Sequence, residues 1–296
     1  MALWMVLLSA GGGSLLWLKR HFGWGQTDIA PAIATPAPAS TPLPLGVAVA
    51  APALPSEWKA ITLPGQRAAR AALWLTPAYA EPSPLVIVLH GDGGDARGFH
   101  QQFMYEEASG SWATVVYPDG LGHGWDTETA VDNPDVAFLD ALIDEAVRAR
   151  NVDPARIFLT GYSSGGFLAQ LYACQRSSRV RGIATHEAGA PYNQAEKWPN
   201  GSPRCPGQDK VATLVTHGRD DFSVSFKSGV YSALYWATIN GCDPRHARVT
   251  AYPQCYAYDG CAPGKPVVFC DIPNLGHWVW SEGAVASVRF FQRLGE

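Results

Sequence analysis

A glycine-flanked serine is the part of this 296-residue sequence best suited to chemistry. The segment GYSSG, residues 161–165, has the pattern G-x-S-x-G. A strand-like run, RIFLT, precedes it, and a run of small and apolar residues, GGFLAQL, begins within it. A sharp turn from strand to helix leaves no room for Cβ atoms beside the serine and raises the serine hydroxyl above the sheet. The pattern therefore predicts Ser163 as a nucleophile, in preference to Ser164, which has no glycine two residues before it.

A serine hydroxyl becomes a good nucleophile only when a neighbouring base accepts its proton. His277 is the only histidine after His246, and it follows the apolar run PVVFC. Two carboxylates, Asp220 and Asp221, follow the run VATLVTHG and could orient the imidazole. The residues alone predict His277 as the base and leave the choice between the two aspartates open.

Backbone amides that could stabilise an oxyanion are expected in two places. Ser164 N–H follows the predicted nucleophile and lies at the start of a helix, where amides lack acceptors. The segment HGDGG, residues 90–94, follows another strand and supplies closely spaced amides. We expect Asp92 N–H to be the second donor, with Gly93 as the alternative. A phosphate cradle is disfavoured because no GxxxxGK[ST] or GxGxxG motif opens a helix here.

The elements needed to position these residues alternate between strand and helix. Such alternation predicts an α/β fold with a mostly parallel central sheet and helices on both faces, whose chemistry gathers at the carboxyl ends of the strands. Strands are predicted at 85–90, 114–120, 156–161, 181–189, 211–218, 248–255 and 266–270, and helices at 134–150, 167–174, 223–239 and 283–294.

Composition and charge exclude several classes of protein. The net charge is −4, from 22 Lys and Arg against 26 Asp and Glu, so the basic face of a nucleic-acid-binding protein is not expected. One apolar run approaches membrane-spanning length, which excludes a protein with several membrane spans. The six cysteines form no CxxC pair, so no structural zinc site is expected. We expect no metal and no organic cofactor.

The chain divides into three regions by composition. Residues 1–27 contain an apolar run followed by basic residues, and are predicted to be a targeting or membrane-anchor segment. Residues 28–55 are rich in proline and alanine and are predicted to be a linker. Residues 56–296 are predicted to form one catalytic domain.

Several motifs together resemble those of a known family. They are HGDGG, YPDGLGHGW, VDPARIFLTGYSSGG, HGRDDFSV and the series NGC, YDGC, PVVFC and LGH. They look like the feruloyl esterase and polyhydroxybutyrate depolymerase group of α/β-hydrolases, and most like type C feruloyl esterases of carbohydrate esterase family one. The resemblance implies an α/β-hydrolase fold and a serine carboxylic ester hydrolase. It carries the nucleophile onto Ser163 and the base onto His277, and its acid motif selects Asp221 over Asp220.

The resemblance also implies how the cysteines pair. It suggests Cys174 with Cys205 and Cys242 with Cys261, which leaves Cys255 to pair with Cys270. Disulfides persist in oxidising compartments. We therefore expect a secreted or periplasmic protein, which could also be tethered through its N-terminal segment.

The resemblance points to phenolic, ferulate-type esters of plant cell-wall polysaccharide as substrates. Trp125, Trp278 and Trp280 are candidates to line the acyl pocket, because aromatic walls stack on a phenolic ring. The alternatives are a polyhydroxybutyrate or other polyester depolymerase, an acetylxylan esterase, and a non-catalytic carbohydrate-binding protein on a hydrolase scaffold. We expect a monomer that acts on an ester and has no nucleic-acid partner.

A mechanism that depends on a neutral imidazole predicts an acid limb in the pH profile. The ordinary pKa of histidine is about 6.5, so ester hydrolysis should fall below about pH 6, where a protonated imidazole cannot accept the serine proton. Initial rates measured on one ester across this range test the prediction. A flat profile from about pH 4 to 8 would contradict it.

Overall fold

The computed structural model describes residues 55–62, 69–78, 81–199, 201–207 and 209–295. The predicted targeting segment, 1–27, lies outside these residues, as does all of the predicted linker, 28–55, except Pro55. No helix among the described residues is long and apolar enough to cross a membrane.

Ten strands form one sheet and two further strands form a short hairpin in the described part of the chain. The sheet order is β1-β2-β4-β3-β5-β6-β9-β12-β11-β10, and β7 pairs with β8. The strands are β1 Ser56–Ile61, β2 Arg70–Leu75, β3 Ser83–Leu89, β4 Thr114–Pro118, β5 Val152–Tyr162, β6 Gly182–His186, β7 Glu196–Lys197, β8 Pro203–Arg204, β9 Ala212–Gly218, β10 Asp243–Val249, β11 Cys255–Asp259 and β12 Val267–Ile272.

The middle of the sheet is parallel and its two margins are antiparallel. Strands β4, β3, β5, β6, β9 and β12 run in one direction. At one margin β2 pairs antiparallel with β4 and β1 with β2, and at the other β11 pairs antiparallel with β12 and β10 with β11. The carboxyl ends of β5, β9 and β12 therefore meet at one edge of the sheet, where ligands bind in folds of this class.

The helices cover both faces of the sheet, as the alternation of the sequence predicts. Along β3, Leu85, Ile87 and Leu89 belong to one buried cluster, whereas Val86 and Val88 belong to another. Helices α3, α4 and α5 contribute to the first cluster, and α1, α2 and α6 to the second. The helices are α1 Ala96–Gln102, α2 Tyr105–Ser109, α3 Pro134–Ala149, α4 Ser164–Gln175, α5 Phe226–Asn240 and α6 Gly283–Leu294.

Most predicted elements agree with the structure, but the predicted strand at 248–255 is wrong. The chain turns between β10, which ends at Val249, and β11, which begins at Cys255. The turn is closed by Thr250 N–H to Cys255 O at 2.9 Å and by Cys255 N–H to Tyr252 O at 2.9 Å. Pro253 has no N–H to donate to a neighbouring strand, which explains why pairing stops there.

Three disulfides link parts of the described chain, with the pairing that the resemblance implies. They join Cys174 to Cys205, Cys242 to Cys261 and Cys255 to Cys270. The last connects opposite positions on the antiparallel strands β11 and β12. Each bond restricts the unfolded chain and so favours the folded one.

Removing the β11–β12 disulfide should lower stability. Cys255 and Cys270 are 15 residues apart. Chain-entropy arguments for a loop of that length predict a loss of about 3 kcal/mol in the free energy of unfolding when both residues are replaced by serine. Denaturant unfolding of Cys255→Ser/Cys270→Ser against the wild type measures this loss. An unchanged unfolding midpoint and slope would show that the bond does not restrict the unfolded chain.

Candidate active site

The turn from β5 to α4 holds Ser163 in a strained conformation that two glycines make possible. Ser163 has φ = 52°, in the left-handed region of backbone conformation that residues other than glycine rarely adopt. A Cβ on Gly161 would lie 2.4 Å from the backbone of Gly165, and a Cβ on Gly165 would lie 2.4 Å from the carbonyl oxygen of His90. Both positions therefore accept only glycine, and the turn packs directly against the end of β3.

Three side chains from separate loops form one hydrogen-bonded chain at this edge of the sheet. His277 Nε2 lies 2.9 Å from Ser163 Oγ, and His277 Nδ1 lies 2.7 Å from Asp221 Oδ2. Ser163 follows β5, Asp221 follows β9 and His277 follows β12. Because a carboxylate only accepts hydrogen bonds, Nδ1 carries the proton and Nε2 is free to accept one from the serine hydroxyl.

Asp221 is held as a buried, ionised carboxylate. Its Oδ1 accepts from Ser223 N–H at 2.8 Å and Val224 N–H at 2.9 Å, which leaves Oδ2 for His277. Burial by itself would raise the pKa of Asp221, but hydrogen bonds from His217, His277 and Val224 outweigh burial and hold the pKa below its ordinary value. Asp221 therefore keeps its charge through the neutral range.

Two contacts fix the loop of His277 against the other two loops. The Tyr162 hydroxyl, one residue before the candidate nucleophile, donates to the His277 carbonyl oxygen at 2.8 Å. The Asp220 amide donates to the Leu275 carbonyl oxygen at 3.0 Å. The contact of Asp220 thus uses its backbone, and its side chain is exposed, whereas Asp221 is the aspartate that contacts the imidazole. The sequence pattern gave no signal for the part that Tyr162 plays here.

The candidate oxyanion amides lie on two segments that border the same cavity as Ser163. Gly94 N–H bonds to Gly91 O at 3.1 Å and closes a turn in which Asp92 is the second residue, so the turn itself leaves the Asp92 amide unused. Ser164 begins α4, where an amide has no acceptor within the helix. Gly93 N–H is engaged by His123 O at 2.7 Å, which removes the alternative donor. The use of Asp92 and Ser164 as oxyanion donors stays a prediction.

A cavity of about 330 Å³ opens beside the candidate nucleophile. The rings of Phe167 and Tyr192 lie with centroids 6.2 Å apart and planes tilted by 46°, and Tyr192 stacks on Tyr231 at 5.8 Å. The exposed Glu128 carboxylate accepts a hydrogen bond from the Asn193 amide at the rim. The lining residues are Asp92, Thr127, Glu128, Ser163, Ser164, Phe167, Leu171, Ala190, Pro191, Tyr192, Asn193, Ser223, Val224 and His277.

The three predicted substrate-binding tryptophans do not line this cavity. Trp125 is buried, and its ring centroid lies 4.9 Å from that of His90. Its Nε1–H donates to the His90 carbonyl oxygen at 2.8 Å, so Trp125 holds the first residue of the HGDGG segment in place. Trp280 is buried with its ring edge-on to Tyr252 at 5.3 Å. Trp278 is half exposed and packs on Phe103. Aromatic residue types indicate burial as readily as ligand contact, and a part for these tryptophans in binding the acyl group stays a prediction.

Glu187, His217 and Asp221 are the one group among the described residues with the spacing of metal ligands. Each residue already uses at least one of these atoms in a hydrogen bond: Glu187 accepts from Gly218 N–H, Asp221 accepts from His277, and His217 Nε2 donates to Val224 O at 2.8 Å. The group is thus a hydrogen-bonded cluster that includes the candidate acid.

A larger cavity, of about 580 Å³, lies away from this edge of the sheet. Trp198, Tyr235 and Trp236 contribute to its walls. Ser163 and His277 lie at the smaller cavity, so the chemistry is assigned there.

Comparison with known proteins supports the fold independently of the site. The family model described as alpha/beta hydrolase fold matches residues 84–228. An acetyl xylan esterase from Aspergillus awamori superposes with a TM-score of 0.66 at 14% identity, over 80% of this chain and 99% of that chain. At that identity the superposition shows the fold alone.

Curated proteins of similar sequence include feruloyl esterases. Feruloyl esterase C of Emericella nidulans is 31% identical over 173 residues, which cover 56% of this chain and 58% of that protein. Feruloyl esterase D of Neurospora crassa is 29% identical over 161 residues, which cover 53% and 51%. The chain thus spans little more than half the length of these curated relatives. It has the α/β-hydrolase fold, and it is related in sequence to feruloyl esterases.

Proposed function

We propose that this chain is a serine carboxylic ester hydrolase of the feruloyl esterase type, which cleaves phenolic esters of plant cell-wall polysaccharide. The observation that carries the proposal is the hydrogen-bonded series Ser163–His277–Asp221, with distances of 2.9 and 2.7 Å, beside a cavity large enough for a small acyl group. The similarity to feruloyl esterases supports the choice of phenolic esters.

The first half of the reaction forms an acyl-enzyme. His277 Nε2 accepts the Ser163 proton as Ser163 Oγ attacks the ester carbonyl carbon. The amides of Ser164 and Asp92 stabilise the negative charge that develops on the carbonyl oxygen. The tetrahedral intermediate collapses, and His277 donates its proton to the departing alcohol oxygen.

The second half releases the acid by the same groups in reverse. His277 accepts a proton from water, and the resulting hydroxide oxygen attacks the acyl carbon. Collapse of the second tetrahedral intermediate breaks the bond to Ser163 Oγ, which recovers its proton from His277. Asp221 stabilises the charged imidazole in both halves and does not itself exchange a proton.

The residues that line the cavity favour an aromatic acyl group. The rings of Phe167 and Tyr192 form apolar walls that can stack on a phenyl ring. Thr127, Glu128 and Asn193 add polar groups that can bond to ring substituents. A feruloyl group combines an aromatic ring with polar substituents, which matches the aromatic and polar parts of the cavity lining.

The proposed location of the protein is outside the reducing cytoplasm, either secreted or periplasmic. Three disulfides within one catalytic domain are typical of oxidising compartments. A substrate in the plant cell wall favours secretion over a periplasmic location. Reductant-free thiol labelling of the purified chain should therefore detect no reactive thiol at these six positions.

Replacing the two neighbouring aspartates separately tests the role of the candidate acid. We expect Asp221→Asn to reduce kcat by about 10³- to 10⁴-fold, because an asparagine amide donates to Nδ1 and places the imidazole proton on Nε2, where it cannot accept the serine proton. Asp220→Asn is the matched control, because its side chain is exposed and the contact of Asp220 to Leu275 uses the backbone. Equal losses in the two variants would refute the assignment.

Hydrolysis of a panel of esters by the full chain tests the proposed function. The panel contains methyl ferulate, p-nitrophenyl acetate, p-nitrophenyl butyrate, a hydroxybutyrate oligomer and acetylated xylan, with Ser163→Ala as the control. We expect turnover that depends on Ser163 and favours methyl ferulate, because the aromatic walls add binding energy for the ring.

The other outcomes separate the alternatives. A preference for the oligomer would assign the protein to polyester hydrolysis, and a preference for acetylated xylan would assign it to deacetylation. Absence of turnover together with absence of fluorophosphonate labelling at Ser163 would indicate a non-catalytic protein.

A further inference from the structure

A fully buried carboxyl group lies behind the candidate acid, and the reaction described above does not use it. Glu187 follows β6 directly and is 0% exposed. Its two carboxyl oxygens lie 3.0 and 2.9 Å from Gly218 N, at the end of β9. Its own amide donates to Thr216 O at 3.1 Å. Glu187 therefore contacts the base of the segment that carries Asp221.

The backbone of Glu187 is strained in the same way as that of Ser163. Its φ is 50°, in the left-handed region, where glycine or asparagine is far more favourable. Such strain costs on the order of 1–3 kcal/mol and persists where the surrounding structure requires it. A buried glutamate at a position that suits glycine indicates that its side chain has a task there.

The contacts of Glu187 place it against the other titratable groups of the site. His217 Nε2, on β9, lies 3.5 Å from Glu187 Oε2 and 3.5 Å from Asp221 Oδ2. The ligand atoms of these three residues lie within 4.8 Å of one another. Two further titratable groups lie near this cluster: Tyr162, on β5, whose pKa is raised by burial and further by the neighbouring Glu187 and Asp221, and His277, on the loop after β12, which contacts Asp221.

Two buried carboxyl groups this close together cannot both be ionised at low cost, so one of them holds a proton. Burial and, to a smaller extent, the neighbouring Asp221 raise the pKa of Glu187 to about 9, although the hydrogen bond from the Gly218 amide lowers it. The hydrogen bonds to Asp221 instead lower the pKa of that group. At neutral pH the proton therefore resides on Glu187 and the charge on Asp221.

We propose that Glu187 is a positioning residue, a neutral carboxylic acid that donates a hydrogen bond to Asp221 and accepts one from Gly218 N–H. It thereby holds Asp221 in place for His277 without adding a second negative charge beside the imidazole. This inference rests on the proposed function, because it assigns Glu187 a task in activating Ser163. Its test uses Glu187→Gln, which keeps one donor and one acceptor, and Glu187→Met, which keeps the volume but neither.

The first measurement asks whether Glu187 is neutral in the folded protein and requires no substrate. Between about pH 4.5 and 9, the folded protein keeps the proton on Glu187 whereas the unfolded chain has lost it. The free energy of unfolding therefore falls as the pH rises through this range. The Glu187→Gln variant lacks this dependence. We expect the melting temperature of Glu187→Gln minus that of the wild type to increase from pH 5 to pH 9. A difference that stays constant over this range would overturn the proposal.

The second measurement asks whether Glu187 acts on Ser163. Rates of fluorophosphonate labelling and of ester hydrolysis are followed from pH 6 to 10. We expect the wild type to lose rate as Glu187 ionises near pH 9 and repels Asp221, whereas Glu187→Gln stays within about threefold of the wild type at pH 7 and shows no such loss. Glu187→Met should lose at least about tenfold in kcat with little change in KM.

Glu107→Gln is the matched control, since Glu107 is an exposed carboxylate on α2, and it should behave as the wild type in both measurements. Identical alkaline limbs in the wild type and Glu187→Gln would overturn the positioning role even if Glu187→Met failed to fold. A wild type inert to both reagents would refute the proposed function, while the melting temperatures would still decide the protonation of Glu187.

Discussion

The site depends on one steric constraint, the close approach of the β5–α4 turn to the end of β3. The carbonyl oxygen of His90 would lie 2.4 Å from any Cβ on Gly165, so the backbones of the turn and of the HGDGG segment are almost in contact. This contact brings Ser163 and the two candidate oxyanion amides to the border of one cavity. A bulkier residue at position 165 would push the turn away from the HGDGG segment and so separate Ser163 from the Asp92 amide, one of the two candidate oxyanion donors.

The remaining groups reach this point through hydrogen bonds between loops. Tyr162 holds the backbone of His277, and the amide of Asp220 holds the same loop through Leu275. Behind them, the buried Glu187 joins the end of β6 to the end of β9. These contacts hold Asp221 as a buried, ionised carboxylate. Burial of a charge costs free energy unless the carboxylate oxygens accept hydrogen bonds.

Much of the fold could be predicted because its central strands are buried on both faces. Runs such as 85–90 and 211–218 are continuously apolar or small, and the helix that begins after Asn133 shows its cap and its apolar face in the sequence. The margins were harder to predict. Strands β1 and β10 are largely exposed, so their sequences carry little apolar periodicity, and the turn at Pro253 divided a run that looked like one strand.

The sequence by itself determined the local chemistry: a serine between close-packed glycines, and the order of serine, aspartate and histidine along the chain. The turn around the serine can be recognised in the sequence because a sharp turn constrains residues that are neighbours in the chain. The residues alone left Asp220 and Asp221 open, and it took the family resemblance to select Asp221, which the structure places against His277. Only the tertiary structure decided that Trp125 and Trp280 lie in the core while Phe167 and Tyr192 line the cavity, and that Glu187 lies close to Asp221. These relations join residues far apart in the chain, and no local pattern records which side chains the folded strands bring together.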